Sequence, residues 1–421
     1  MAQTLTDREK ALNHEDGLGI IEQLANISDR IGKESSDKIW HHGFKRNNAD
    51  GNPATRISPL FDTVNVAPAY MDYTNGVFVP GGWQWLIDKF YPVMVNMDGT
   101  EAYRLNKFNH KLKENGEASD AFNIDSDLNA MSCLTERVYR KHYEVGDVEY
   151  FEFSNVKLDD DFHCDAFVRN NKTIASKAYF PMFKGQIDSK GRLRSIGGQA
   201  LNTNTTATAE VAAATAMGEQ FSIWDLSHRT LIEELLILMS MCDNVQLSYG
   251  QGQTSGYVND ASQNYGHRAT GTLFDKGPFF GFSDTTHEIK AFYIEGLWGN
   301  RWDRVLGCVL VNDVLKCKAS GPYNLTGEGY TEVGITLPAN GWQKETQNTR
   351  FGSFPKEVGG SDSTYICDYW YKNASGTRVL IVGGSCYNGS KCGRDWNLNN
   401  AASDAVWHIG ASLLLEQPEE A

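Results

Sequence analysis

The densest run of chemically capable side chains lies near the C-terminal end, where Tyr387, Asn388, Ser390, Lys391, Arg394, Asp395 and Trp396 crowd together and Trp407-His408 follows closely. Tyr, Trp and Arg combine large contact area with hydrogen bonding, while Asn and Ser adapt to a partner, so these types in this density point to non-covalent recognition. Large amphipathic side chains left exposed together cost solubility unless something covers them. Tyr387, Arg394, Trp396, Trp407 and His408 are therefore expected to converge on one partly open surface, the alternative being a polar loop without a partner. Catalysis has no such support. The chain contains no GxSxG, HExxH, P-loop or EF-hand spacing, so the expectation is a ligand-binding protein with no catalytic residue, cofactor or metal.

Three other groups could do chemistry. Eight cysteines occur without a CxxC pair, which predicts reduced, buried thiols rather than a zinc site. Cys386 and Cys392 are the nearest pair, and soft thiolates select Cu(I). His41-His42 lacks a third ligand nearby and reads as surface loop, and Asp159-Asp160-Asp161 reads as a solvated acidic turn.

The elements that must position these residues are legible in part. Ile20, Leu24, Ile27 and Ile31, at spacings of four, three and four, predict a helix over 9–32 with one narrow apolar stripe, either docked on its own chain or used for self-association. Residues 33–55 read as a polar linker, so 1–55 is taken as an anchoring or oligomerisation segment. Residues 56–145 read as a small α+β region, with a strand at Val77–Val79, a helix over Gly81–Phe90 and a turn at Asp98-Gly99. From 146 to 421 one domain is expected: strands at Val148–Val156, Phe162–Val168 and Ala178–Pro181, helices within Thr203–Met217 and Ser222–Cys242, and a sheet holding Val379–Val382. Ser248–Gly277 is a long Gly/Ser/Asn-rich stretch, and connections of that length tend to be functional surface.

Composition narrows the classes. With 421 residues, 10 Trp, 18 Tyr and 40 Gly against 11 Pro, the chain is a folded, loop-rich protein. A net charge of −14 without any Lys/Arg block argues against nucleic acid as a partner. The longest apolar run, within Leu231–Cys242, is short of the roughly 20 residues that span a bilayer, and MAQTLTDREK has no signal-peptide character, so no membrane insertion and a cytosolic site of synthesis are expected.

Three segments carry a family resemblance: Gly296-Leu297-Trp298-Gly299-Asn300-Arg301-Trp302-Asp303, Val379-Leu380-Ile381-Val382-Gly383-Gly384-Ser385-Cys386, and Leu398–Ser403 followed by Ile409-Gly410-Ala411. In order and spacing they resemble the GNxWEW, RGGSW and IGFR signatures of the C-type-lectin-like fold shared by formylglycine-generating enzymes, phage tropism determinants and retroelement-diversified proteins. Leu158–Gly198 with Leu231–Met241 resembles a domain recurrent in phage tail and fibre proteins. Cys386, Arg304 and Ser412 depart from the family pattern, and its calcium-dependent sugar motif is absent. The resemblance implies an α+β molecule: a C-type-lectin-like domain over 146–421, preceded by the small α+β region and the N-terminal helix, with Trp298 and Trp302 buried as scaffold. It further implies a virion protein of a tail or fibre, assembled in the host cytoplasm as a homo-oligomer, most simply a trimer, with other virion proteins. Its 387–408 face would contact a host-cell receptor, protein or glycan. The alternatives are a head, collar or tail decoration protein and a copper oxidase using Cys386 and Cys392.

Overall fold

The computed structural model describes residues 23–27, 29, 38–170 and 173–416. Its centre is the helix Leu226–Ser240, in which every residue is buried. The Asp225 carboxylate caps its first turn by accepting from the His228 N–H, and Met241 closes it in the left-handed conformation. A helix enclosed on all sides must neutralise its own charges. Arg229 pairs with Glu233 at 2.6 Å, and Glu234 pairs with Arg140 at 2.9 Å.

Sheets wrap this helix. One has seven strands in the order Phe221–Ile223, Leu413–Leu415, Ala178–Pro181, Asn129–Leu134, Phe90–Val95, Glu101–Asn106, Asn109–Lys113. A larger, curled sheet runs Thr331–Glu332, Val314–Cys317, Trp302–Val311, Thr377–Val382, Trp396–Leu398, Tyr369–Lys372, Gly341–Thr349, Gly352–Val358, with Ile409–Gly410 added parallel to the start of Trp302–Val311. A four-stranded sheet pairs His41–Asn47 with Val148–Ser154 and Ile57–Phe61, and Tyr139–Val145 with Val148–Ser154. Both larger sheets share one hydrophobic core that extends from Trp40 to Leu414 and includes the 226–240 helix.

The expected α+β class is corrected. The molecule is mostly β, 34% strand against 13% helix, so the layout of a lectin-like α+β domain behind a small α+β region and a helix does not describe it. The reason lies in segments whose short apolar runs do not distinguish the two periods. Within Gly81–Phe90 only Gln84–Ile87 is helical, and the aromatic and β-branched run Phe90–Val95 leaves it as a fully buried strand. Thr203–Met217 yields the helix Ala207–Thr215, capped by Thr206, and Ser222 belongs to a strand. Residues 41–47, read as linker, form a strand because His42, Gly43, Phe44 and Arg46 are buried between two neighbours. Phe162–Val168 is mainly a turn around Asp165–Phe167.

Of the N-terminal helix, 23–27 are described as helical, while Ile20 and Ile31 lie outside the described residues. The polar side chains do the docking. Asn26 exchanges two hydrogen bonds with the Lys157 main chain, and Asp29 meets Arg137 at 2.7 Å and the Tyr139 hydroxyl at 3.1 Å. Leu24 and Ile27 face outward, 63% and 53% exposed.

Candidate functional site

The turn after the strand Thr377–Val382 sets the site. Gly383 and Gly384 have φ of +93° and +77°, and a Cβ on Gly384 would stand 2.3 Å from Cys392 Sγ, so glycine is required there. Beyond them the chain is tied by one side chain. Asn388 Oδ1 accepts from the Ser385 N–H at 2.9 Å, the Ser385 hydroxyl at 2.7 Å and the Trp302 indole N–H at 3.1 Å. Asn388 thus fastens the loop to the strand Trp302–Val311 and leaves Tyr387 projecting outward, 68% exposed.

A second loop closes the site from the long 248–277 stretch. It is held to the Trp298-Gly299-Asn300 turn, where the Asn300 N–H donates to the Gln253 carbonyl, and to the first loop, where the Gly389 N–H donates to the Thr254 carbonyl. The Trp298 indole N–H donates to the Gly250 carbonyl, burying that ring as scaffold. The loop delivers Tyr257 onto Trp407, ring centroids 4.4 Å apart and 29° from parallel. Tyr265 and His267 also lie against Trp407, at 5.3 and 5.5 Å. Tyr387 stands roughly perpendicular to Tyr257 and Trp407, with ring centroids 5.1 and 6.4 Å away.

Together these residues bound a pocket of about 390 Å³ lined by Tyr257, Trp302, Tyr371, Ser385, Tyr387, Asn388, Asn397, Asn399, Trp407 and His408. No lining side chain carries a charge at neutral pH. Burial lowers His408 to about 4, so its imidazole is neutral. Beneath it His267 is lowered to about 3, first by burial and then by the Arg301 and Lys184 cations. Neither His267 nitrogen, nor His408 Nδ1, has a hydrogen-bond partner among the described residues.

Of the residues singled out in the sequence, Tyr387, Asn388, Trp407 and His408 meet in this pocket. Ser390 lies exposed in the turn Gly389–Lys391, and the Lys391 ammonium sits over Tyr369 at 4.4 Å, beside the pocket rather than in it. The other three point away into the core. Arg394 donates to the Asp243 carbonyl and pairs with Asp243 and Asp368 at 3.4 and 3.2 Å. Trp396 is buried against Phe354, its indole N–H on Glu233. Asp395 is fully buried with neither oxygen partnered among the described residues, and burial beside Asp368 pushes its carboxyl well above the usual range. Arg394 and Trp396 therefore do not join the expected five-residue surface. Strand Trp396–Leu398 lies between two others with all three residues buried, so type alone does not tell which face a side chain takes.

Sequence reasoning missed Tyr257, Tyr371, Asn397 and Asn399, and took Trp302 and Ser385 as scaffold only. The length of the 248–277 stretch was the one signal for Tyr257; Asn399 lay in a segment taken as scaffold. The two thiols near the site are buried hydrogen-bond donors. Cys386 Sγ contacts the Tyr265 carbonyl and Cys392 Sγ the Ser385 carbonyl, and burial pushes Cys386 up to about 12 and Cys392 upward as well. Protonated thiols are poor ligands and nucleophiles. Among the described residues no group of three His, Cys, Asp or Glu is placed to hold a metal ion, and no helix is long and apolar enough to cross a membrane.

Compared with known proteins, the chain matches no family model and no curated protein sequence.

Proposed function

We propose that this protein is a receptor-binding component of a bacteriophage particle, on a tail or fibre, and that the pocket between Tyr257, Tyr387 and Trp407 engages the host-cell surface. The observation that carries the reading is Tyr387, a large aromatic side chain 68% exposed at the mouth of a neutral pocket walled by other aromatic rings. Such a cluster is favourable in water chiefly when a partner covers it. The resemblance of 296–303, 379–386 and 398–411 to phage tropism proteins supplies the biological setting. The outward Leu24 and Ile27 supply a face for assembly with further copies, a trimer in the simplest case, or with other virion proteins.

The test is cell binding by the purified protein and its Tyr387→Ala/Trp407→Ala variant. The variant is expected to remain folded, with some stability lost where Trp407 leaves the rings of Tyr257, Tyr265 and His267, and to lose at least about 2 kcal/mol of binding, roughly 30-fold in Kd. If the double variant unfolds, Tyr387→Ala alone, at an exposed position, gives the binding result. Unchanged attachment by a folded variant refutes the reading and leaves a decoration role in the virion.

A further inference from the structure

We infer that the ligand of this pocket is a neutral saccharide, held by ring stacking on Tyr387 and by the amides of Asn397 and Asn399. The inference rests on the proposed role of the pocket in attachment and specifies its chemistry. Three observations carry it.

The first is charge. All ten lining residues are neutral, His408 included, so nothing in the pocket offsets the desolvation of a phosphate, carboxylate or ammonium. Acidic sugars, nucleotides and charged peptide side chains are thereby disfavoured.

The second is the polar inventory. Asn397 is 8% exposed, lines the pocket, and uses its Oδ1 to accept from the Asn399 N–H at 2.8 Å. Its Nδ2 has no partner among the described residues, and neither end of the Asn399 side chain has one. A carboxamide offers a donor and an acceptor side by side, which matches adjacent hydroxyls, each both donor and acceptor. An apolar ligand would leave these groups unsatisfied at a cost of about 1–3 kcal/mol each.

The third is shape. Tyr387 is 68% exposed and stands at 74° to Tyr257 and 84° to Trp407, so neither ring lies stacked parallel on it and its exposed surface is open to the C–H face of a pyranose. At about 390 Å³ the cavity is near the lower end of the roughly 300–1,000 Å³ typical of small-molecule sites. That volume suits one or two sugar rings better than a folded protein loop.

The test uses the full chain on an array of neutral and acidic oligosaccharides, with cells treated by periodate, which cleaves vicinal diols, or by protease. Expected are neutral oligosaccharides among the bound probes, affinity reduced about tenfold or more by Tyr387→Ala or Asn399→Ala, and loss of cell binding after periodate but not after protease. Binding confined to acidic probes overturns the assignment. So does cell binding that survives periodate, fails after protease and still requires Tyr387; that result leaves receptor binding standing with a protein ligand. Binding to no cell and no probe overturns both readings.

Discussion

Removing the Asn388 side chain with Asn388→Ala should loosen the loop that forms the pocket, at a cost that can be worked from its three hydrogen bonds. Asn388 Oδ1 accepts from Ser385 N, Ser385 Oγ and Trp302 Nε1 at 2.9, 2.7 and 3.1 Å. The Ser385 N–H is the costly loss, because Ser385 is 1% exposed and a buried donor left unpaired costs about 1–3 kcal/mol. The hydroxyl can rotate, and the indole N–H borders the pocket, where water can replace the lost acceptor at well under 1 kcal/mol. The sum is about 2 kcal/mol. Asn388→Asp keeps an acceptor for all three donors and should retain most of the stability. Denaturant unfolding measures the cost, while the emission maximum of Trp302, read against a Trp302→Phe control, reports the broken indole bond. Equal midpoints for Asn388→Ala and the parent, or an equal loss in the Asp and Ala variants, would refute the reasoning.

Asp395→Asn should raise the denaturant midpoint, and more at pH 8 than at pH 5. The buried carboxyl titrates above its unfolded value, so its contribution is greatest when protonated and is lost as pH rises through the folded value; the neutral amide removes that loss. His267 has the opposite sign. Lowered from 6.5 to about 3, it favours the folded state above its unfolded value, and that advantage disappears as pH falls toward the folded one. His267→Asn should therefore flatten the loss of stability between pH 6.5 and 4, and parallel curves for the two proteins would count against it. Leu24→Glu/Ile27→Glu should convert an oligomer to a smaller species by light scattering without changing the unfolding profile; unchanged mass would show that this outward face joins no copies.

Some of this molecule was legible in its sequence because the signals are local. The apolar run after Asp225 is long enough to be a helix and carries its own cap, and the segment around Val379–Val382 is β-branched and ends at two glycines that its turn requires. Trp298 and Trp302, set around Gly299-Asn300, are buried as their spacing suggests. Of the aromatic and polar residues crowded near 387–408, Tyr387, Asn388, Trp407 and His408 line one pocket.

What tertiary structure decided is which of those residues share a surface. Tyr257, Trp302, Tyr371, Asn388 and Trp407 are far apart in the chain and meet because the sheet order places Trp302–Val311 beside Thr377–Val382, then Trp396–Leu398 beside Tyr369–Lys372, while backbone hydrogen bonds bring in the loop bearing Tyr257. Pairing between distant strands also fixed the class, turning ambiguous runs such as Phe90–Val95 into buried strands. The same pairing turned Arg394, Asp395 and Trp396 inward. Side-chain type sets what a residue can do, but a strand enclosed on both sides gives no periodic sign of which side it faces, so only the packed neighbours determine whether it meets solvent or core.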